Sequence, residues 1–444
     1  MSAFFVGKKR LTSFQIIILG FSGIILLGTV LLMLPVSCRE NGHASFLDAL
    51  FTSTSAVCVT GLVLHDTAEY WSVFGQMVIL LLIQIGGMGV ITVAASFTII
   101  SGRKISLMQR STMQEAIAAP KVGGIVRLTG FIIRSTLLIE LLGAAIMAPE
   151  FCRDFGKKGV WMALFHAVSA FCNAGFDLMG SRGEFSSLTS YAQNPVICVT
   201  ILCLIITGGI GFLTWDDIRT NRWKIHKYRM QSKVILSMTA ILLILPAVYF
   251  YFCEFSMLPE NERILASVFQ SVTPRTAGFN TEDLTQFSQR GQFLMIVLML
   301  IGGSPGSTAG GMKTTTVAVL FATAAATFSR KEYVHFFGRR IDNDVAKNAS
   351  TILLMYVTLC LTGGILISSA ENLPVGTCFF ETASAIGTVG LSLGITPGLG
   401  AFSCSVLIGL MFFGRVGGLT LIFAVLSGTQ KNVSKLPLEK ITVG

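Results

Sequence analysis

The sequence predicts an all-α polytopic membrane protein made of four covalently linked units of one design. Three observations predict it. The 444 residues are 52% hydrophobic and only 13% charged, with mean hydropathy +0.71, whereas a soluble domain carries about 25% charge. Residues 14–33, 72–100, 195–215, 234–253 and 349–370 run without a charged side chain. Each run can cross a hydrocarbon core of about 30 Å, which takes about 20 helical residues, and unbroken runs of this kind mean helices rather than a barrel. Finally, four short segments end in a glycine beside a large apolar residue. They are Cys58-Val59-Thr60-Gly61-Leu62, Cys172-Asn173-Ala174-Gly175-Phe176, Arg275-Thr276-Ala277-Gly278-Phe279 and Gly387-Thr388-Val389-Gly390-Leu391. Their glycines are 114, 103 and 112 residues apart, close to a quarter of the chain.

The units follow in order as residues 1–102, 103–230, 231–340 and 341–444. Lys8, Lys9 and Arg10 precede the first run. That run is too long for a secretory leader and has no small-residue cleavage site near Pro35, so it reads as a retained span. The expected pairs of full spans are 14–34 with 72–100, 128–148 with 195–215, 234–253 with 291–322, and 349–370 with 402–426, eight spans in all. Between the members of each pair lies a half-polar segment, too short to cross and too apolar for an ordinary loop. It reads as a re-entrant half-helix with an extended return, giving a span–pore helix–span (M1–P–M2) unit and four re-entrant pore loops.

The half-helices resemble one another. Ten residues before the glycine stand Phe51, Phe165, Val268 and Phe380, and six before it Ser55, Ser169, Val272 and Ser384. A helix C-terminus aimed at a common axis favours a cation there. The serine hydroxyls are placed to bond either the return segment or their own turn. Four such segments, arranged pseudo-four-fold around one ion pore, would offer rings of carbonyl oxygens, the chemistry that strips and selects potassium. The candidate filter is Val59, Thr60 and Gly61; Asn173, Ala174 and Gly175; Thr276, Ala277 and Gly278; Thr388, Val389 and Gly390. Gly61, Gly175, Gly278 and Gly390 suit it because a Cβ would obstruct inward-facing backbone. The segments differ, so fewer well-formed ion sites are expected than four identical loops would make.

Glycine pairs recur later in each unit: Gly86-Gly87, Gly208-Gly209, Gly302-Gly303 and Gly417-Gly418, which follow the filter glycines by 25, 33, 24 and 27 residues. For the first two pairs close helix packing explains them. The third lies in a broken span. Gly302, Gly303, Ser304, Pro305, Gly306, Ser307, Thr308, Ala309, Gly310, Gly311, Met312 and Lys313 hold too much glycine and proline for a helix. Irregular backbone at membrane depth must line a cavity or be buried. Residues 302–316 are therefore read as an intramembrane loop beneath the filter that blocks conduction and moves aside, a plain kink being the alternative. Only the third unit is expected to break in this way. Arg415 lies 13 residues into the span that begins at 402, about 20 Å along at 1.5 Å per residue. A cation so deep must face water or a partner. Arg275 is either a fixed charge at the filter's inner end or turns behind it to bond pore-helix carbonyls. Arg134 and Glu140, six residues apart, share no helix face; Arg134 is placed to snorkel toward the cytoplasm, and Glu140 to pair with another helix or a cation.

The basic residues alternate with the spans. Clusters at Lys8–Arg10, at Arg103, Lys104, Arg110, Lys121 and Arg127, at 219–233, at 330–347, and at Lys431, Lys435 and Lys440 fall on one side. The positive-inside rule makes that side the cytoplasm, with both termini there, in a cell membrane. The net charge of +10 is thus a topology signal and not a nucleic-acid footprint. The ten cysteines include no C-x-x-C pair and suit small buried positions. No enzyme chemistry is expected: the five histidines are scattered, and no nucleophile–base pair, metal spacing or nucleotide fingerprint appears.

These units, with T/N-x-G-F/L segments, resemble the Ktr/Trk/HKT superfamily of potassium transporters over essentially the whole chain. Eight spans without a further N-terminal pair resemble the membrane subunit of its Ktr branch. The resemblance implies K+ as the transported ion, Na+ as an activator, a gating loop in the third unit's second helix, and an arginine beneath the filter, here Arg415. It also implies a homodimer in the lipid bilayer and a cytosolic KtrA-type octameric ring that binds the nucleotide this chain lacks. Loops 103–127, 216–233 and 329–347 are that ring's docking surface or serve topology alone. Plant sodium-selective members carry serine at the first filter glycine, where this chain keeps Gly61. The competing function is a Na+-coupled secondary K+ symporter with alternating access, because broken helices also mark transporters. Such transporters are built from inverted or paired repeats, whereas four parallel units predict one pore.

Overall fold

The structure, a computed structural model, describes residues 12–39, 42–90, 92–93, 107–117 and 123–418. The basic residues Lys8, Lys9, Arg10, Arg103, Lys104, Lys121, Lys431, Lys435 and Lys440 lie outside the described residues, as do 94–100 and 419–426 of two expected spans. The chain is mostly helical. The first unit holds α1 (Ser13–Leu32), α2 (Phe46–Cys58) and α3 (Val73–Met88), followed by α4 (Leu107–Ile117). The second holds α5 (Ile125–Phe155), α6 (Lys158–Phe171), α7 (Pro195–Gly209) and α8 (Phe212–Asn221). The third holds α9 (Met230–Tyr249), α10 (Glu260–Val272), α11 (Gln289–Leu300) and α12 (Thr314–Phe328), and the fourth α13 (Asn343–Glu371), α14 (Val375–Gly387) and α15 (Ala401–Val416). A two-residue hairpin, His335–Phe336 against Arg339–Arg340, is the one strand pair among the described residues.

Local chemistry sets the boundaries. Thr12 and Gln15 form a reciprocal capping box at the start of α1. Ser45, Ser72 and Ser288 cap α2, α3 and α11, each accepting an amide of the first turn. Among the described residues, four helices are long and apolar enough to span a membrane: α1, α5, α9 with its π-turn Phe250–Glu254, and α13. Each buries only about a third of its apolar window; residues such as Leu26, Leu27 and Val30 stay exposed on α1, as a lipid-facing surface requires. The short helices are the reverse. In α2 every residue from Phe51 to Cys58 is buried, including Thr52, Ser53, Thr54 and Ser55. These helices sit inside the bundle, held by bonds such as Ser53 Oγ to the Ile25 carbonyl at 2.7 Å.

The second helix of each unit departs from the expected full span. Helix α3 stops at Gly89, α7 at Gly211 and α15 at Gly417, with nearly equal dihedrals: φ/ψ of 85°/129°, 89°/142° and 89°/132°. Positive φ ends a helix at glycine because no Cβ opposes it. Between α7 and α8 the axis turns by 96°. Breakage is therefore common to the second helices and not confined to the third unit. What is special there is the length of the interruption, residues 301–313.

The equivalent glycines also differ from the expected pairing. A Cβ at Gly86 would strike the carbonyl of Val57, at Gly208 that of Phe171, and at Gly414 that of Ile386. Each carbonyl lies four residues before its unit's ring glycine, at the pore-helix end. The fourth unit's counterpart of Gly86 is thus Gly414, not Gly417, and three residues later each helix breaks. In this register Arg415 stands where the first two units have Gly87 and Gly209. The reason is steric: only glycine lets the second helix touch the pore-helix carbonyl.

Candidate functional site

Helices α2, α6, α10 and α14 converge with their C-termini, so their partial negative ends meet at one place. Each passes into a glycine segment with the same unusual backbone. Val59, Asn173, Thr276 and Thr388 have φ of 58°, 59°, 68° and 53°, and two residues on Gly61, Gly175, Gly278 and Gly390 have 90°, 69°, 76° and 92°. Left-handed backbone costs a residue with a Cβ about 1–2 kcal/mol, more for the β-branched valine and threonines. Such strain persists only where the surroundings hold it.

The holding groups are visible. Ser55 Oγ accepts the Gly61 amide at 3.1 Å, and Ser384 Oγ the Gly390 amide at 3.0 Å. Ser169 Oγ donates to the Phe176 carbonyl at 2.7 Å. In the third unit Thr273, one residue later than the expected Val272, donates to Phe279 at 2.6 Å. The hydroxyls thus bond the return segment and not their own turn.

The four segments close a ring. A Cβ placed on Gly61 would strike the Ala174 carbonyl oxygen, on Gly175 that of Ala277, on Gly278 that of Val389, and on Gly390 that of Thr60. Each glycine faces the residue before the next unit's glycine, and the fourth returns to the first. All twelve predicted filter residues lie on these segments. On the side away from α2, α6, α10 and α14, the four glycines border a cavity of about 150 Å³, which Asp66, Asp177, Asn280 and Ser392 also line.

On the other side lies loop 301–313. It is closed at its base by Gly302 N–H to the Met312 carbonyl (2.8 Å) and Thr314 N–H to Gly303 (3.0 Å). Several of its other backbone groups bond to other units. Ser304 and Thr308 amides donate to the carbonyls of Gly209 and Gly208 at 3.0 and 3.3 Å, and Phe212 N–H donates to Gly306 at 2.7 Å. Gly311 N–H donates to Gly414 at 3.2 Å. Thr308 Oγ1 sits 3.0 Å from the Phe171 carbonyl and 3.1 Å from Asn173 Oδ1, directly against the second segment. A Cβ on Gly310 would collide with Thr388 of the fourth. Ser304 Oγ and Thr314 Oγ1 are 3.2 Å apart, and Ser307 Oγ donates to Ser304. Lys313 folds back to donate to the Ala309 and Gly310 carbonyls at 2.8 and 3.2 Å. Irregular backbone is tolerated here because residues 302–304 and 308–312 are buried in protein and 305–307 partly so.

Arg415 fastens this arrangement. Its guanidinium donates to the carbonyls of Thr308 in the loop and of Gly86 and Gly87 in α3, the last at 3.1 Å. One side chain thus bridges the fourth, third and first units. Arg275 is buried and turned behind the ring, with Nη2 3.4 Å from Thr239 Oγ1 of α9; its partner is a hydroxyl and not the expected pore-helix carbonyls. Its own carbonyl accepts the Asn173 amide at 3.3 Å. Sequence reasoning missed the Thr308–Asn173 contact, the Lys313 clamp and Thr273. Only Thr273 left a signal, as a hydroxyl one position from the serine column.

A family model described as "TrkH: Cation transport protein" matches residues 9–435. The chain is 40% identical to the potassium/sodium uptake protein NtpJ of Enterococcus hirae, covering 98% of each chain. It is 37% identical to the Ktr system potassium uptake protein B of Bacillus subtilis, over 96% of this chain and 95% of that one. The crystal structure of the potassium transporter TrkH from Vibrio parahaemolyticus shares the fold, with TM-score 0.74 at 18% identity, over 95% of this chain and 86% of that one.

Proposed function

Because the chain belongs to the TrkH family of cation transport proteins, we propose that it is the K+-selective, ion-translocating membrane subunit of a potassium-uptake system. The observation that carries this reading is the closed order of glycine-to-carbonyl contacts through all four units. Four backbone segments stacked in this way supply rings of oxygens that replace the hydration shell of a cation. Residues 59–61, 173–175, 276–278 and 388–390 form the filter, and the buried ends of four helices add negative potential beneath it.

The units are 1–102, 103–230, 231–340 and 341–444, and the broken second helices complete the eight crossings. The loop at 302–313 is the gate; residues 314–316, grouped with it on sequence, instead open α12. It lies against Asn173 and Thr388 at the filter's inner end, and Arg415 ties it to α3. Conduction requires the loop to swing aside, breaking bonds to Gly208, Gly209 and Gly414 that cross unit boundaries. Both termini face the cytoplasm.

The exposed basic residues Arg222, Lys224 and Lys227, with Arg330, Lys331, Arg339 and Arg340, are the docking surface for a cytosolic nucleotide-binding ring acting on two membrane subunits. Na+ acts as an activator and not as a coupled co-substrate. Symport by alternating access needs repeats that rock about a midplane site, whereas contacts running one way round a ring support a pore. The test is K+ and Na+ flux into proteoliposomes, measured with and without the ring protein. K+ flux well above Na+ flux, at rates beyond strict alternating access, is expected. Equal fluxes of the two ions would overturn the filter assignment.

A further inference from the structure

Glu140 stands at the middle of α5, 15 residues from Ile125 and 15 from Phe155, and its side chain is 3% exposed. A carboxylate at membrane depth is costly to keep and marks function by default. No Lys, Arg or His nitrogen lies within 4.0 Å of it among the described residues. Its partners are neutral. Gln84 Nε2 of α3 donates to Oε2 at 3.3 Å, and the Cys172 thiol to Oε1 at 3.9 Å. The same thiol is 3.8 Å from Gln84 Oε1, so the three side chains close a triangle.

Two corners of that triangle touch the conduction machinery. Cys172 caps α6 and precedes Asn173, whose side chain meets the loop at Thr308 and the third segment at Arg275. Gln84 lies two and three residues before Gly86 and Gly87, whose carbonyls hold Arg415. The two are also pressed together: a Cβ on Gly87 would come within 2.6 Å of Cys172 Sγ.

We propose that Glu140 is a positioning residue that holds the second filter segment and the Arg415-binding turn of α3 in one register. Selectivity at Asn173–Gly175 and closure of the loop are thereby coupled through a group that touches neither ion nor loop. This rests on the filter and gate reading above.

The experiment compares Glu140→Ala, Glu140→Gln and Gly175→Ser in proteoliposomes, reading the K+/Na+ flux ratio and the basal K+ flux. Glutamine keeps the shape and one acceptor oxygen; alanine keeps neither. Loss of the hydrogen bonds from Gln84 and Cys172 predicts about a tenfold fall in the flux ratio for Glu140→Ala, with raised basal flux. Glu140→Gln restores the ratio to within about twofold of the parent protein, the spread of such bonds. A folded Glu140→Ala protein with the parent ratio and flux overturns the proposal. So does a Glu140→Gln protein as impaired as alanine, because charge and not register would then be the cause. Should Glu140→Ala not fold, Gln84→Leu opens the same triangle from the other side, and an unchanged ratio there overturns it equally. Gly175→Ser separates the two levels. If it leaves the ratio unchanged, the filter reading fails; if it alone relaxes the ratio, only the coupling fails.

Discussion

Replacing Arg415 by alanine removes three hydrogen bonds from a charged donor to carbonyls of two other units, those of Thr308, Gly86 and Gly87. Only the Thr308 bond has to break for the loop to leave, because the other two hold the arginine to α3. A bond of this kind is worth about 1.5–3 kcal/mol. Its loss shifts the closed–open balance by about 10- to 150-fold toward open. Loss of a fixed positive charge beside the proposed cation path acts in the same direction. Arg415→Lys separates the two contributions: lysine keeps the charge but not the planar fork that reaches several carbonyls. The assay is initial K+ uptake into proteoliposomes at matched protein density. Arg415→Ala is expected to raise the initial rate at least about tenfold, by the bond energy above, and Arg415→Lys by less. A folded Arg415→Ala protein with an unchanged or lower rate would refute the clamp.

Serine at Gly61, Gly175, Gly278 or Gly390 adds a Cβ at φ of 69–92° that collides with the neighbouring unit's carbonyl; each substitution is expected to abolish or relax K+ over Na+ discrimination in competitive uptake assays. Shortening the loop by part of residues 304–312 removes its bonds to Gly208, Gly209 and Gly414 and is expected to raise K+ flux, whereas a folded deletion that conducts no faster would remove the gate assignment. Thr273→Val keeps the shape but deletes the 2.6 Å bond to Phe279; about 1 kcal/mol lost behind the strained third segment is expected to lower the K+/Na+ flux ratio severalfold without loss of folded protein by thermal melt.

Much of this was legible from residue order. Composition and the uncharged runs identified the membrane, and the spacing of four glycines identified the ring members. Burial of Phe51, Phe165 and Phe380 agrees with the half-helix alignment, but Val268 is exposed and Phe269, one residue later, takes the buried place. The misreadings have one cause. Pairing Gly417-Gly418 with Gly86-Gly87 followed the look of adjacent glycines, while the constraint is a single close approach that picks Gly414. The break at Gly211 was hidden because α7 and α8 are both apolar at their junction, and hydropathy is blind to a 96° turn. Val272 stood in the serine column because the third return is offset by one residue, which spacing alone cannot register.

By itself the sequence determined a fourfold, lipid-embedded helical chain with glycine wherever a carbonyl ring would need it, since transfer energy and Cβ sterics act locally and leave their mark residue by residue. Tertiary structure alone decided the order in which the units touch, the seat of loop 301–313 against Asn173 and Thr388, and the choice of Thr308, Gly86 and Gly87 as partners of Arg415. Those depend on backbone carbonyls, which every residue carries. A side-chain sequence therefore cannot say which of them a distant guanidinium will find.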